Sequence, residues 1–162
     1  MSRTSLRYAV GISALTLAVL LLGEAGTAAA QAKKPDSVVK VEAKADGKPD
    51  ASGHQTLTIT LDVEKGWHVY ANPVENEDLA SVQTVVSIAS KAKLDDVKIT
   101  YPAGKPYGKG DEKHKIYEGK VTIKAQVKRA AGDTGPLEVS IKLQSCNDRT
   151  CLFPVTLKKE VP

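Results

Sequence analysis

The feature that most constrains this chain is a period-two alternation of apolar and polar residues, repeated along much of its length. "TLTITLDV" sets Leu57, Ile59, Leu61 and Val63 on one face, with threonines and Asp62 on the other. "KVTIKAQV" does the same with Val121, Ile123, Ala125 and Val127, and "LEVSIKL" with Leu137, Val139, Ile141 and Leu143. Successive side chains of a strand point to opposite faces, so each segment reads as a strand with one buried face. Shorter runs at "VVKVEA", "TVVSIA", "VKITYP" and "VTLKKEV" continue the pattern. The turn-rich pieces "ADGKPDASG", "EKG", "YPAGKPYGKGDEK" and "AAGDTGP" separate the runs. Only "ENEDLASVQ" has room for a helical turn. The expected fold is all-β, an antiparallel immunoglobulin-like β-sandwich of about seven to eight strands.

The N-terminus reads "MSRTSLRYAVGISALTLAVLLLGEAGTAAAQA", with Arg3 and Arg7 ahead of an apolar run from about Ala9 to Leu22. A basic start, a short apolar stretch and an A-x-A ending mark a secretory signal peptide. The run is too short, and too closely followed by a cleavage site, to read as a spanning helix. The expected organisation is a signal peptide over residues 1–30, a disordered lead over 31–36 and one domain over 37–162. No cysteine lies at the cut, which argues against a lipoprotein, and no later run is apolar enough to cross a bilayer. The mature protein is expected to be periplasmic or otherwise exported, where thiols persist as disulfides.

The chain holds 23 Lys and Arg against 19 Asp and Glu, a net charge of +4. Removing Arg3, Arg7 and Glu24 with the leader lowers this to about +3. The basic side chains are nearly all lysines, spread along the chain and not interleaved with aromatics. Nucleic acid is therefore not an expected partner.

The chain has two cysteines, Cys146 and Cys151, in "LQSCNDRTCLFPV". Four residues between two strands make an ordinary hairpin loop. Residues facing each other across a hairpin sit at a separation a disulfide tolerates. Three readings follow: a hairpin staple, half of a metal site, or a pair that exchanges electrons. The chain-entropy gain of so small a ring is only about 2 kcal/mol, which makes a weak staple. A zinc or copper(I) site would need His68 and His114, both distant in sequence from the thiols. Hydrolytic chemistry lacks a base to activate a nucleophile. Alternation also sets a condition on the pair. It places Cys146 in phase with the outward Lys142 and Gln144, but Cys151 in phase with the inward Val155 and Leu157. A bond requires a bulge that re-phases one strand, and Pro154, which cannot donate to a ladder, is the expected place. In "GWHVYANPV" the same alternation sends Trp67 and Val69 inward and leaves His68 and Tyr70 together outside the sandwich.

Taken in order, "GWHVYANP", then "YP…Y-G…IYEGKV", then "LQSCNDRTCLFPV" resemble the N-terminal periplasmic domain of the thiol:disulfide interchange protein DsbD. The likeness covers roughly residues 37–160. It implies an immunoglobulin-like domain that relays reducing equivalents as a component of protein-disulfide reduction. A thioredoxin-like protein or domain would be the electron donor, and periplasmic disulfide proteins the acceptors. Cys146 and Cys151 would be the redox pair, with Cys151 forming the mixed disulfides. His68 and Tyr70 match positions lining the family's active site. The stretch 102–116 matches the family's cap, with Tyr107 as the covering ring. No cofactor and no resident metal are implied.

The sequence departs from the family in three ways. The cysteine spacing is one residue shorter than in the best-known members, and the cap is longer and richer in glycine and lysine. The chain also stops at Pro162 without the family's membrane and thioredoxin-like domains, so donor and acceptor are expected to be separate proteins. The alternative reading is a binding or scaffold sandwich whose disulfide is purely structural. Reduction potential discriminates, because structural disulfides usually lie below about −300 mV.

Overall fold

The computed structural model describes residues 33–162. The expected signal peptide lies outside the described residues. The first described element is a single helical turn, α1 (Pro35–Val38), opened by a proline and closed by the Val39 amide donating to Pro35 O. Residues 35 and 36 of the expected disordered lead thus belong to this turn. It carries Val38 into the core, where that side chain is fully enclosed.

Strands β1 (Val39–Ala45) and β2 (His54–Val63) pair antiparallel from Val39 opposite Val63 to Ala45 opposite Leu57. β3 (His68–Tyr70), β4 (Val85–Ser90), β5 (Leu94–Thr100), β6 (Lys105–Tyr107) and β7 (His114–Tyr117) follow. β8 (Lys120–Arg129), β9 (Leu137–Leu143), β10 (Ser145–Cys146) and β11 (Val155–Val161) complete the chain. Three antiparallel sheets result, in the orders β1-β2-β8-β5, β10-β3-β7-β6 and β11-β9-β4. The architecture is the expected immunoglobulin-like sandwich. Eleven strands exceed the count expected because β3, β6 and β10 have only two or three residues, too few to show a period. The segment "ENEDLASVQ" holds one 3-10 turn, Glu77–Leu79, with Asn76 Oδ1 accepting from the Asp78 amide at 3.1 Å.

Alternation becomes burial without exception in the central pair. Leu57, Ile59, Ile123, Ala125, Val127, Val139 and Ile141 have no exposed surface, and they share one core with Val38, Val69 and Val161. Threonines and lysines of the same strands take the outer face, where Lys124 joins Asp46 at 2.9 Å. One charge enters the interior at the end of β8. Arg129 is buried and is met by Asp133 at 3.1 Å, by Gln55 Oε1 at 3.0 Å and by the Gly135 carbonyl. A buried guanidinium needs such partners.

The core sets the stability. Ile123→Ala, at a position with no exposed surface, should lower the unfolding free energy by about 2–5 kcal/mol in chemical denaturation. Lys120→Ala on the solvent side should change it by less than about 0.5 kcal/mol.

Candidate functional site

The short strand β3 divides its side chains between two layers. Trp67, just before it, and Val69 pack into the main core, while His68 and Tyr70 take the opposite face. They stand outside the sandwich core, as alternation predicts, but that face is not open. His68 is 5% and Tyr70 9% exposed, because two further pieces of chain cover them.

The first cover is the loop from 71 to 84. Its Val74, Leu79 and Val82 form a second, small apolar cluster with Tyr70 and Cys146. Both ends of this loop are tied to β3. Thr84 donates through its amide and its hydroxyl to Tyr70 O, at 3.0 and 2.6 Å, and Asn72 Nδ2 donates to Thr84 O at 2.9 Å. The second cover is the β6–β7 hairpin, the stretch 102–116 expected to be the cap. Its base is held by backbone bonds, from Ala71 N to Lys115 O at 3.0 Å and from Lys115 N to Val74 O at 2.8 Å. Gly104 makes this approach possible, since a Cβ there would stand 2.6 Å from Ala71 Cβ and 2.8 Å from Lys115 Cβ. Gly108 takes a positive φ of 77° where the hairpin turns, a conformation glycine adopts without strain.

Hairpin register sets Tyr107 opposite His114. Their rings lie 5.4 Å apart. Tyr107 rests on His68 at 4.7 Å, and His114 on Tyr70 at 5.4 Å. Two rings of the cap thus lie on two rings of β3, in one layer beside the disulfide. His114 Nδ1 lies 2.6 Å from the Glu112 carbonyl. A carbonyl only accepts, so this nitrogen carries the proton in the neutral ring. The Tyr107 hydroxyl donates to Asp148 Oδ1 at 3.0 Å.

Cys146 and Cys151 are bonded, with an S–S distance of 2.06 Å and Cα atoms 4.0 Å apart. The simple hairpin expected around them is interrupted. β9 and β11 pair directly, ending with Leu143 opposite Val155, while β10 leaves that sheet to pair with β3. Cys146 then bridges Cys151. Cys146 is three residues beyond Leu143, but Cys151 is four residues before Val155. The extra residue falls within Leu152–Pro154, and it supplies the re-phasing that alternation required. Phe153, at 89% exposed, is thrown outward there. Cys146 keeps its outward phase, yet it is only 2% exposed because that face is covered by the Tyr70 cluster. Cys151 is exposed. The cover is therefore partial, closed over one half-cystine and open at the other.

The Tyr70 hydroxyl reaches both sulfurs, 3.6 Å from Cys146 Sγ and 4.0 Å from Cys151 Sγ. A disulfide sulfur carries no proton, so the phenol is the donor. Burial pushes the Tyr70 phenol above its ordinary value and keeps it protonated at neutral pH. Burial likewise holds the His68 imidazole below its ordinary value; Glu118 and Asp148 oppose this and His114 adds to it. In the bonded state neither sulfur is a thiolate, so the two-thiolate, two-histidine metal arrangement is not available. Among the described residues no group of three or more His, Cys, Asp or Glu stands together for a metal.

The structure thus brings all five expected site residues, His68, Tyr70, Tyr107, Cys146 and Cys151, into one neighbourhood. His114 and Asp148 join them. Only the cross-strand register of the cap reveals His114 as a ring of the site, and only the cysteine turn reveals Asp148 as the partner of Tyr107.

Comparisons with known proteins give the family and the fold. The family model described as thiol:disulfide interchange protein DsbD, N-terminal, matches residues 30–162. No curated protein sequence matches the chain. Among solved structures, the N-terminal periplasmic domain of ScsB from Proteus mirabilis superposes with a TM-score of 0.59 at 15% identity, over 80% of this chain and 48% of that one. The chain thus spans about half the length of that ScsB structure. The DsbD N-terminal domain of Neisseria meningitidis in its reduced form gives a TM-score of 0.52 at 13% identity, over 79% of this chain and 87% of that one. A complex between the DsbD and PilB N-terminal domains of the same organism gives 0.51 at 11% identity, over 80% and 87%. At these identities the superpositions speak for the fold.

Two outcomes are expected. A buried imidazole whose folded pKa is depressed leaves the unfolded state binding more protons, so stability is full above about pH 6.5 and is lost as pH falls below it. Urea unfolding should show this loss, and His68→Gln should flatten it. Tyr107→Ala, which removes the ring over His68, should speed reduction of the disulfide by dithiothreitol. An unchanged rate would mean that the ring does not guard the pair.

Proposed function

The chain belongs to the family of DsbD N-terminal domains, and from that premise we propose that it is an exported thiol–disulfide exchange module. It relays reducing equivalents through Cys146 and Cys151, from a thioredoxin-like donor to periplasmic disulfide proteins. The observation that carries this reading is the asymmetry of the disulfide. One half-cystine is buried under the ring layer and the other is exposed at a bulge. The small ring adds little stability, whereas an exposed half beside a covered one suits exchange by access.

Exchange then runs as follows. A donor thiolate attacks the exposed Cys151 Sγ in line with the S–S bond and forms a mixed disulfide. The bonding pair leaves on Cys146 Sγ, where the Tyr70 hydroxyl stands 3.6 Å away to hydrogen-bond the new thiolate. The donor's second thiolate attacks its own sulfur of the mixed disulfide. This closes the donor's disulfide and releases Cys151 as a thiolate, and two protons from the donor dithiol end on the pair. The reverse sequence passes two electrons to an acceptor disulfide, with Cys151 attacking and Cys146 resolving. The chain supplies no strongly activated thiol of its own. Among the described residues no helix longer than four residues occurs, and so no Cys-x-x-Cys stands at a long helix N-terminus to lower a thiol pKa. Reactivity is therefore brought by the partner and selected by docking.

Roles of the two sulfurs separate in single-cysteine variants. Cys146→Ser leaves Cys151 without its resolving partner and should accumulate a covalent complex with a thioredoxin-like protein. Cys151→Ser should accumulate little. Equal trapping would overturn the assignment of roles. Trapping by neither, with a reduction potential below about −300 mV, would instead establish the scaffold with a structural disulfide.

A further inference from the structure

The cap is fastened at several points, and one of them ends on the loop between the cysteines. The hairpin base is tied by the backbone bonds of Ala71, Val74 and Lys115. Its tip is held on one side by Asn76 Nδ2, which donates to the carbonyls of Asp111 at 3.2 Å and Lys113 at 3.4 Å. On the other side, Tyr107 at the end of β6 donates to Asp148 at 3.0 Å, across 41 residues of chain.

Asp148 is presented by a turn that holds its own shape. Asn147 Oδ1 accepts from the amides of Arg149 and Thr150, each at 2.9 Å, and the Asn147 amide donates to Thr150 O at 2.9 Å. Side-chain carbonyls of asparagine commonly fix turns in this way. The bridge continues on its other side, with Leu152 N donating to Ser145 O at 2.9 Å. The backbone that carries Asp148 is therefore held beside the disulfide without help from the cap, while its exposed carboxylate takes its hydrogen bond from Tyr107. The Tyr107 ring, set on His68 and paired with His114, is equally placed. A held turn and a stacked ring thus meet in one hydrogen bond to a charged acceptor, the stronger kind.

We propose that Asp148 is a positioning residue that gates exchange: acting through Tyr107, it latches the cap to the loop that carries the cysteines. Release of this hydrogen bond frees the cap tip, lifts the ring from His68 and opens the covered side of the pair. The inference rests on the exchange reading and deepens it. Cys151 is met in the open, while the side on which Cys146 leaves as a thiolate stays closed until the latch is released. The phenol itself carries a mark of the contact. The hydrogen bond to Asp148 holds the Tyr107 hydroxyl above its ordinary pKa, and Glu118 and Tyr70 add to this.

A double-mutant cycle on the oxidised full domain tests the latch, with reduction by dithiothreitol as the readout. Tyr107→Phe keeps the ring and removes the hydroxyl, and Asp148→Ala removes the acceptor. Each should speed reduction about five-fold, and the double variant should be no faster than either single one. Unchanged rates in both single variants, or effects that multiply in the double one, would overturn the latch. A spectroscopic readout separates the latch from general loosening. The Tyr107 ring signal should titrate at lower pH in Asp148→Ala, moving toward the ordinary value of about 10. Faster reduction with an unmoved Tyr107 titration would also overturn the proposal. Neither measurement uses a protein partner, so a failed cycle leaves the relay to its trapping test, and failed trapping leaves the cycle readable.

Discussion

In an antiparallel pair, each step along one strand is matched by a step back along its partner, and every step turns the side chain to the other face. Between the β9–β11 ladder and the Cys146–Cys151 bridge that match fails by one residue. Without the extra residue in Leu152–Pro154, the two cysteines would lie on opposite faces and could not bond. With it, both sulfurs come to the outer face of β3, within reach of one phenol. The same excess throws Phe153 outward and leaves the Cys151 side without a cover. Pro154 suits such a place, because a residue without an amide proton costs a bulge nothing that a ladder would have used.

A sandwich normally leaves the outer faces of its sheets to water. This one builds a second layer over a single short strand. The layer holds few apolar side chains, Val74, Leu79 and Val82 on one side and the Tyr107 and His114 rings on the other. Small clusters of this kind open at lower free energy than a main core. The division of labour is physical. Leu57, Ile59, Ile123 and Ile141 hold the fold, while the cap is held by a few hydrogen bonds at its base and tip. On the exchange reading, a cover that moves for a partner belongs at the weakly held end of the molecule.

The chemistry at the site is restrained for the same reason. A neutral His68 and a protonated Tyr70 surround the disulfide with groups that do not attack it and carry no positive charge to draw out a thiolate. On the proposed exchange reading, such surroundings leave reactivity to the arriving thiol. On that reading selectivity comes from which surface can dock at the exposed Cys151 and displace the rings, and the ordinary reactivity of a partner thiolate does the rest.

Sequence alone determined the sandwich, because period-two burial is a local property that each strand displays by itself. Leu57 to Val63, Val121 to Val127 and Leu137 to Leu143 all announced their inward faces, and each face is buried as read. The phase conflict between the cysteines was also legible, since counting residues is enough to show that a bulge is required. Tertiary structure decided what covers the outer face. Alternation sets His68 and Tyr70 outside the sandwich, and only the fold of the 71–84 loop and the β6–β7 hairpin encloses them. Strands of two or three residues, such as β3, β6 and β10, are too short to show a period. Their partners, including Tyr107 with His68 and Tyr107 with Asp148, come together across long stretches of chain. A contact between residues far apart in sequence leaves no local pattern, and it exists only once the core has fixed where each segment ends.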